Sequence, residues 1–326
     1  MSVFRQVNAL RQELSGRIVG QEKLVDRMLM ALLTDGHLLV EGAPGLAKTR
    51  AIRELSSMVE GDYQRIQFTP DLLPADITGT EIYRPADGSF AFQQGPLFNN
   101  LILADEINRA PAKVQSALLE AMAEQQISVG QKTYPLPPLF MVMATQNPIE
   151  QEGTYPLPEA QLDRFLMHVL VDYPDASKEV EILRLVRDEQ IQAGNHSATV
   201  SVDTTAPLGM ETLFAARREV LALHMSEDVE NYMVRLVTTT RDAAGISEQM
   251  KRWIAYGASP RGTLALDACA RAHAWLDESD YVSPGDVQAV LHDVLRHRIL
   301  LSYEAEAEDV TTDQVVDQLL DTVAVP

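Results

Sequence analysis

The sequence predicts an α/β fold built on a parallel sheet, followed by a region made of helices. In residues 1–174, short apolar runs alternate with segments of helical periodicity, which is typical of strands joined by helical crossovers. One of these runs, 37–41, leads through a glycine-rich turn directly into a helical segment. After residue 174 the spacing of apolar residues is helical. We therefore expect two domains, 1–174 and 175–326.

Composition limits the possible classes of protein. The chain has 326 residues, of which 46% are hydrophobic and 23% charged, so it is expected to fold and not to be intrinsically disordered. Its 47 acidic and 27 basic residues give a net charge of −20, which makes nucleic acid a poor partner. No apolar run approaches the ~18 residues of a membrane span. Cys269 is the one cysteine, which suits a reducing compartment, and we expect the cytoplasm.

The periodicity places each element in turn. Helices are expected at 3–14 and about 23–33, and strands at 37–41, 63–68, 101–104, 139–145 and 168–171. Two alternating runs around Asp87-Gly88 predict a β-hairpin insert at about 76–95. The later helices are expected at about 211–221, 227–241, 261–275 and 284–297, after a helix from Ser177 and a linker loop at about 192–209. Interruptions such as the hairpin usually carry function.

The glycine-rich turn has the composition of a phosphate-binding loop. It reads Gly42-Ala43-Pro44-Gly45-Leu46-Ala47-Lys48-Thr49, and Arg50 follows in the helix. Backbone N–H groups of such a turn and of the helix start converge on an anion, so we assign the whole segment to nucleotide binding. Lys48 would reach the β- and γ-phosphates, and the Thr49 hydroxyl would hold Mg²⁺. Taken alone, the segment is also compatible with an ordinary Gly-Pro turn before a helix.

Polar side chains end two of the predicted strands. Asp105 and Glu106 follow the apolar run 101–104, at the edge of the sheet where ligands bind in α/β folds. Asp105 would hold the Mg²⁺ hydration shell, and Glu106 would orient and deprotonate the attacking water. Asn147 ends the next strand, where it would touch the γ-phosphate or the water. The alternatives are a solvated strand end for the acidic pair and a simple turn for Asn147-Pro148.

The turn between the first two helices supplies a further candidate. Ile18-Val19-Gly20 precedes the phosphate-binding loop in the chain. We expect the backbone of Ile18 and Val19 to line one side of the site for the adenine of a bound nucleotide. A plain turn that links two helices is the alternative.

Taken together, these segments resemble the AAA+ ATPases, and within them the MoxR family. The resemblance covers nearly the whole chain and is carried by the motifs Glu41–Thr49, Asp105–Ala110, Ala144–Pro148, Leu157–Phe165 and Gly257–Arg261. It implies ATP and Mg²⁺ as cofactors and a five-stranded parallel sheet in which the strand before Asn147 lies between those of the loop and of Asp105. It also implies a helical lid, and the family often has alanine where Ala47 stands.

The resemblance further implies assembly and two catalytic arginines. Arg164 resembles an arginine finger and Arg261 resembles sensor 2, beside the sensor 1 residue Asn147. A structural salt bridge for Arg164 and a helix-start cation for Arg261 are the alternatives, and Arg109 could compete for a role in trans. Related proteins form rings, usually hexamers, that remodel or mature a partner. Such partners often carry a von Willebrand factor A domain, and metal or cofactor insertion is a frequent outcome.

The main hypothesis is therefore Mg²⁺-dependent ATP hydrolysis that drives rearrangement of a protein partner. A nucleotide-gated binding module with negligible turnover is the second hypothesis, and a DNA-directed motor, which the charge disfavours, is the third. The sequence does not name the partner. Its acidic C-terminal segment, 301–326, is amphipathic, which predicts either docking onto the lid or a free helix that binds a partner.

Overall fold

The computed structural model describes residues 2–43, 45–46, 48–86, 88–148, 153–194, 206–242 and 247–326. Three predicted features fall wholly or partly outside these residues. They are Pro44 and Ala47 of the loop, Asp87 at the tip of the hairpin, and residues 195–205 of the expected linker.

The observed elements follow the predicted order. The strands are β1 (Leu38–Gly42), β2 (Tyr63–Gln67), β3 (Gly79–Arg84), β4 (Ser89–Gln94), β5 (Leu101–Asp105), β6 (Gln126–Val129), β7 (Lys132–Pro135), β8 (Met141–Gln146), β9 (Met167–Val171), β10 (His224–Met225), β11 (Ile254–Tyr256), β12 (Tyr281–Val282) and β13 (Leu300–Leu301). The helices are α1 (Val3–Arg17), α2 (Glu22–Leu33), α3 (Lys48–Met58), α4 (Pro74–Thr78), α5 (Ala112–Glu124), α6 (Glu159–Leu162), α7 (Ala176–Gly194), α8 (Met210–Ala222), α9 (Glu227–Arg241), α10 (Glu248–Trp253), α11 (Pro260–Leu276), α12 (Pro284–Leu295), α13 (Tyr303–Ala307) and α14 (Thr312–Thr322).

Five strands form a parallel sheet in the order β2-β5-β8-β1-β9. The strand before Asn147 lies between the strand of the glycine-rich loop and the strand of Asp105, as the family resemblance implies. Successive residues of β1 pack into different apolar clusters, with Leu38 and Val40 in one and Leu39 in the other, because side chains alternate along a strand. The sheet therefore has a core on each face, and the α/β prediction is confirmed.

The predicted hairpin insert forms from β3 and β4. At its base Gly79 has φ 97°, and a Cβ there would come within 2.3 Å of the Gln93 carbonyl oxygen, so only glycine fits. Phe92 on β4 stacks on Tyr134 of the second hairpin, β6-β7, with ring centroids 4.1 Å apart. The base of the insert is thus packed against the domain. Farther out, Tyr83 is 53% exposed.

The chain after residue 175 is helical as predicted, with differences in detail. Helix α7 begins one residue before Ser177, because Asp175 accepts hydrogen bonds from the Ser177 hydroxyl and the Lys178 N–H. It runs to Gly194, three residues into the segment that we expected to be linker. Two short ladders, β10-β12 and β11-β13, also occur where only helices were expected. A dipeptide or tripeptide strand is too short to leave a periodic signal in the sequence.

The C-terminal helix α14 is docked, which decides between the two predictions for the acidic segment. Val315, Val316 and Leu319 are buried and belong to the main apolar cluster. At the start of the helix, Arg296 binds both carboxylate oxygens of Asp313, each at 2.8 Å. Among the helices that the structure describes, none combines the length and the apolar run that crossing a lipid bilayer requires.

Candidate functional site

The glycine-rich loop joins β1 to α3 and places Lys48 at the start of that helix. Gly45 has φ 86°, a conformation that favours glycine and allows the tight turn. The Lys48 ammonium group donates to the carbonyl oxygens of Gly42, at 2.5 Å, and Gln146, at 3.1 Å. Burial lowers the pKa of Lys48, and neighbouring carboxylates oppose this shift. The lysine therefore bridges the loop and the end of β8.

A buried threonine holds the two carboxylates at the end of β5. Thr145 of β8 donates its hydroxyl hydrogen to Asp105 Oδ1 at 2.6 Å and accepts a hydrogen bond from the Glu106 N–H at 2.9 Å. Glu106 has a left-handed backbone conformation, with φ 57° and ψ 52°, which is uncommon outside glycine and is often kept at functional sites. Thr145 thus fixes the Asp105 carboxylate and the Glu106 backbone in one arrangement.

The edge strand β2 supplies further partners for these carboxylates. Arg65 donates to Asp105 Oδ2 through Nε at 3.0 Å and Nη2 at 2.7 Å. Gln67 donates to Glu106 Oε2 at 2.8 Å. Arg109 Nε lies 3.1 Å from the same Glu106 oxygen. Donors from β2 therefore orient both carboxylates, and Arg109 adds a second contact to Glu106.

A cavity of about 320 Å³, here called the phosphate cavity, lies between the start of α3 and the ends of β5 and β8. It is lined by Gly45, Leu46, Lys48, Thr49, Arg50, Asp105, Glu106, Thr145, Gln146 and Asn147. The cavity brings an ammonium group, a hydroxyl and two carboxylates together. Carboxylate and hydroxyl oxygens suit Mg²⁺, and an ammonium group beside a helix N-terminus suits phosphate. The residues therefore fit a nucleoside triphosphate with its Mg²⁺ ion.

A smaller apolar cavity of about 80 Å³ adjoins the phosphate cavity, and Gly45, Leu46 and Arg50 line both. Ile18 and Val19 form one wall of this cavity. The facing wall comes from Ile182 and Leu185 of α7. Arg50 pairs with Glu189 of the same helix through its two terminal guanidinium nitrogens, Nη1 and Nη2, which ties α7 to the loop.

The two predicted catalytic arginines lie elsewhere. Arg164 and Arg261 line a different cavity of about 320 Å³, here called the arginine cavity, together with Asp163 and Arg298. Arg164 donates to the carbonyl oxygen of Leu119. The side chain of Arg261 is 54% exposed, and its Nη1 lies 3.8 Å from Asp163 Oδ2. Neither arginine is among the described residues that line the phosphate cavity.

The structure thus brings together most of the predicted site and adds residues that the sequence analysis missed. Lys48, Thr49, Asp105, Glu106 and Asn147 line one cavity, whereas Arg164 and Arg261 do not reach it. The missed residues are Arg65, Gln67 and Thr145. Thr145 carried a signal, because it is a polar residue that ends an otherwise apolar run. Arg65 and Gln67 carried a weaker signal, because they are polar residues that alternate along β2.

Comparisons with known proteins match both parts of the chain. Residues 37–167 match the family described as ATPase family associated with various cellular activities (AAA), and residues 248–319 match the AAA lid domain. The chain is 47% identical to Chaperone MoxR1 of Mycobacterium tuberculosis over 311 aligned residues. This alignment covers 95% of the chain and 79% of that protein. It is 33% identical over 341 residues to Protein MoxR of Paracoccus denitrificans, with 99% and 96% covered. The crystal structure of a Cytophaga hutchinsonii protein assigned as an ATPase superposes with a TM-score of 0.88 at 42% identity, with 99% and 96% covered.

Proposed function

Because the chain belongs to the MoxR family of AAA+ ATPases, we propose that it hydrolyses ATP with Mg²⁺ in the phosphate cavity. The convergence of Lys48, Thr49, Asp105, Glu106 and Asn147 on that cavity is the observation that carries this proposal. The direct test is phosphate release by the purified protein with Mg²⁺ and with a chelator. Steady, metal-dependent turnover would support hydrolysis. ATP binding with negligible turnover would instead support the nucleotide-gated binding module.

The proposed roles follow from the side-chain chemistry. Lys48 and the N–H groups at the start of α3 bind the β- and γ-phosphates. The Thr49 hydroxyl and Asp105 hold Mg²⁺, which neutralises charge on the phosphates when bound. The contacts from Gln67 and Arg109 use Oε2 of Glu106, so we propose that Oε1 takes the proton of the attacking water. Asn147 orients that water or the γ-phosphate.

The same proposal assigns the nucleoside to the neighbouring apolar cavity. Ile18 and Val19 pack on one side of the adenine, and Ile182 and Leu185 of α7 on the other. The cavity adjoins the phosphate cavity through Leu46, so a single nucleotide could occupy both. Tight packing of α7 against the base would then depend on the Arg50–Glu189 pair.

We propose that Arg164 and Arg261 act on the ATP of a neighbouring copy. They line the arginine cavity and are not among the described residues that line the chain's own phosphate cavity, so their proposed role in catalysis requires a second subunit. A cation supplied in trans would stabilise the charge that develops on the γ-phosphate. A ring provides such a neighbour at every interface. The family resemblance suggests that this ring is a hexamer.

The work done by hydrolysis is proposed to be remodelling of a protein partner. One relative is named as a chaperone, and the family resemblance suggests a partner with a von Willebrand factor A domain and possible metal or cofactor insertion. Cys269 is the one cysteine of the chain and is buried, which suits a reducing compartment such as the cytoplasm. Affinity capture with the Glu106→Gln variant and ATP would identify the partner.

Replacing Lys48 with alanine should weaken ATP binding. The change removes an ammonium group whose charge-assisted hydrogen bonds are worth about 1.5–3 kcal/mol each. We expect the dissociation constant for ATP, measured by calorimetry, to rise by roughly tenfold to a hundredfold. The exposed Lys251→Ala variant is the matched control. Unchanged affinity in Lys48→Ala would remove the loop from the nucleotide site.

The outer part of the β3-β4 hairpin should matter for partner binding and not for folding. Tyr83 and Phe90 pair with each other and are exposed, whereas Phe92 packs against Tyr134. We expect the double variant Tyr83→Ser, Phe90→Ser to keep its melting temperature and to capture less partner in the Glu106→Gln background. The Phe92→Ser variant should instead lower the melting temperature. Unfolding of the double variant would assign its residues to the core.

A further inference from the structure

A buried hydroxyl group lies between the proposed metal ligand and the proposed general base, and none of the roles proposed above uses it. It belongs to Thr145 of β8, which is 1% exposed. The hydroxyl donates to the carboxylate of Asp105 and accepts from the backbone N–H of Glu106. A hydroxyl carries one hydrogen, and here the carboxylate takes it. Thr145 therefore has no hydrogen left to donate to a phosphate in the phosphate cavity.

The peptide group between Asp105 and Glu106 is held at both of its polar atoms. Its N–H donates to Thr145 Oγ1 at 2.9 Å. Its carbonyl oxygen, which belongs to Asp105, accepts from the N–H of Phe68 at 2.9 Å. Phe68 directly follows β2, and β2 and β8 are the neighbours of β5 on its two sides. The plane of this peptide is therefore fixed from both sides.

The orientation of that plane sets the backbone of Glu106. Turning the plane changes φ of Glu106, which is 57°. This left-handed conformation is unfavourable for a residue with a Cβ atom, and it persists where the surroundings hold it in place. Without the Thr145 hydroxyl, the N–H of Glu106 loses its partner and the peptide can turn. The carboxylate of Glu106 then leaves its place beside Gln67 and Arg109.

The same hydroxyl fixes the carboxylate of Asp105. Thr145 Oγ1 lies 2.6 Å from Oδ1, while Arg65 holds Oδ2. Hydrogen-bond partners of a metal ligand orient that ligand, and their loss typically lowers metal affinity or activity about 10- to 100-fold. Because threonine is branched at Cβ, the buried side chain has few alternative rotamers, so the hydroxyl stays where both residues need it.

We propose that Thr145 is a positioning residue of the ATPase, whose single hydroxyl sets both the Mg²⁺ ligand Asp105 and the backbone of the general base Glu106. This inference rests on the proposed function. It makes metal binding and water activation depend on one side chain. Removal of the hydroxyl should therefore impair both, and each can be measured separately.

The affinity for Mn²⁺ in the presence of ADP tests the first effect on the full chain. Mn²⁺ replaces Mg²⁺ as the probe, and the free ion is measured by electron paramagnetic resonance. We expect Thr145→Val, which keeps the shape of the side chain, to bind Mn²⁺ about tenfold or more weakly. Thr145→Ser, which keeps the hydroxyl, should recover most of this loss. Thr145→Ala serves as the variant without a hydroxyl if Thr145→Val does not fold.

Thr240→Val is the matched control. Thr240 is also 1% exposed, and its hydroxyl donates to the Val237 carbonyl oxygen at 2.6 Å and accepts from the Ala258 N–H at 2.9 Å. It is not among the described residues that line the phosphate cavity. Loss of this hydroxyl should lower the melting temperature and leave the Mn²⁺ affinity unchanged.

Turnover at saturating ATP and Mg²⁺ tests the second effect. Thr145→Val should lower it about tenfold or more, because saturation compensates for weak metal binding and not for a displaced general base. In the Glu106→Gln background the same substitution should lower turnover no further, since the base is already absent. It should still weaken Mn²⁺ binding there, because Asp105 is intact.

Several results would overturn the inference. One is a Thr145→Val variant that changes only one of the two measurements, or neither, because one hydroxyl would then not set both residues. Others are a Thr145→Ser variant as impaired as Thr145→Val, or an equal loss of Mn²⁺ affinity in Thr240→Val. A parent protein that neither binds Mn²⁺ with ADP nor hydrolyses ATP would instead contradict the proposed function itself.

Discussion

We expect the Glu106→Gln variant to bind ATP as the parent protein does and to release phosphate at least about 100-fold more slowly. Glutamine keeps the size and shape of the side chain and removes the basic oxygen that would take the proton of the attacking water. A glutamine at position 106 can still pair with Gln67, because its amide oxygen can accept the hydrogen bond that Gln67 Nε2 donates. The loss should therefore appear in turnover and not in affinity or melting temperature.

Glu304→Gln is the matched control, since it makes the same chemical change at an exposed position. Phosphate release should be followed under ATP saturation, and ATP affinity by calorimetry. A variant that binds no ATP would make Glu106 a structural residue of the cavity. A variant with normal turnover would place the general base elsewhere.

Replacing Arg164 with alanine should lower turnover by about 100-fold or more with little change in ATP affinity. The reason is its position, since Arg164 lines the arginine cavity and not the chain's own phosphate cavity. If the arginine completes the site of a neighbour, the turnover per chain of the parent protein should rise with protein concentration.

The control for this variant is Arg218→Ala, which removes an exposed arginine from α8. Arg164 also donates to the Leu119 carbonyl, so the melting temperature must be compared. Turnover that is independent of concentration, with Arg164→Ala fully active, would make Arg164 a structural residue. Arg109, which lies beside Glu106, would then be the next candidate for a role in trans.

The central fold was predictable because its signals are local. Four of the five strands of the sheet, β1, β5, β8 and β9, contain short apolar runs, and the phosphate-binding loop is contiguous in the chain. The order of the strands came from the family resemblance, since spacing alone does not fix which strands pair. The observed sheet and the AAA family matches confirm both the fold and the family.

Contacts between distant segments could not be predicted from the sequence. Arg65 and Asp105 lie 40 residues apart, as do Asp105 and Thr145, and no local pattern pairs them. They meet because β2, β5 and β8 are neighbours that end at the same edge of the sheet. Contiguous motifs therefore predicted residues that line the phosphate cavity, while the side chains that orient them emerged only from the fold.

The surroundings of helix α7 could not be predicted from the sequence either, for a different reason. Its apolar residues have helical spacing, which is typical of a helix with one packed face. In the structure Val180 and Leu183 are exposed, and Ile182 and Leu185 line the apolar cavity. Periodicity measures where apolar side chains lie around a helix and does not tell what covers them. The wall that α7 contributes to the proposed adenine site was missed for this reason.

Mixing the two inactive variants tests most directly the claim that one ATP site is built from two chains. In a mixture of Glu106→Gln and Arg164→Ala, some interfaces pair an intact Glu106 from one chain with an intact Arg164 from the next. We expect the mixture to recover part of the parent's phosphate release, although each variant alone is nearly inactive. A mixture no more active than the separate variants would contradict a site shared between subunits.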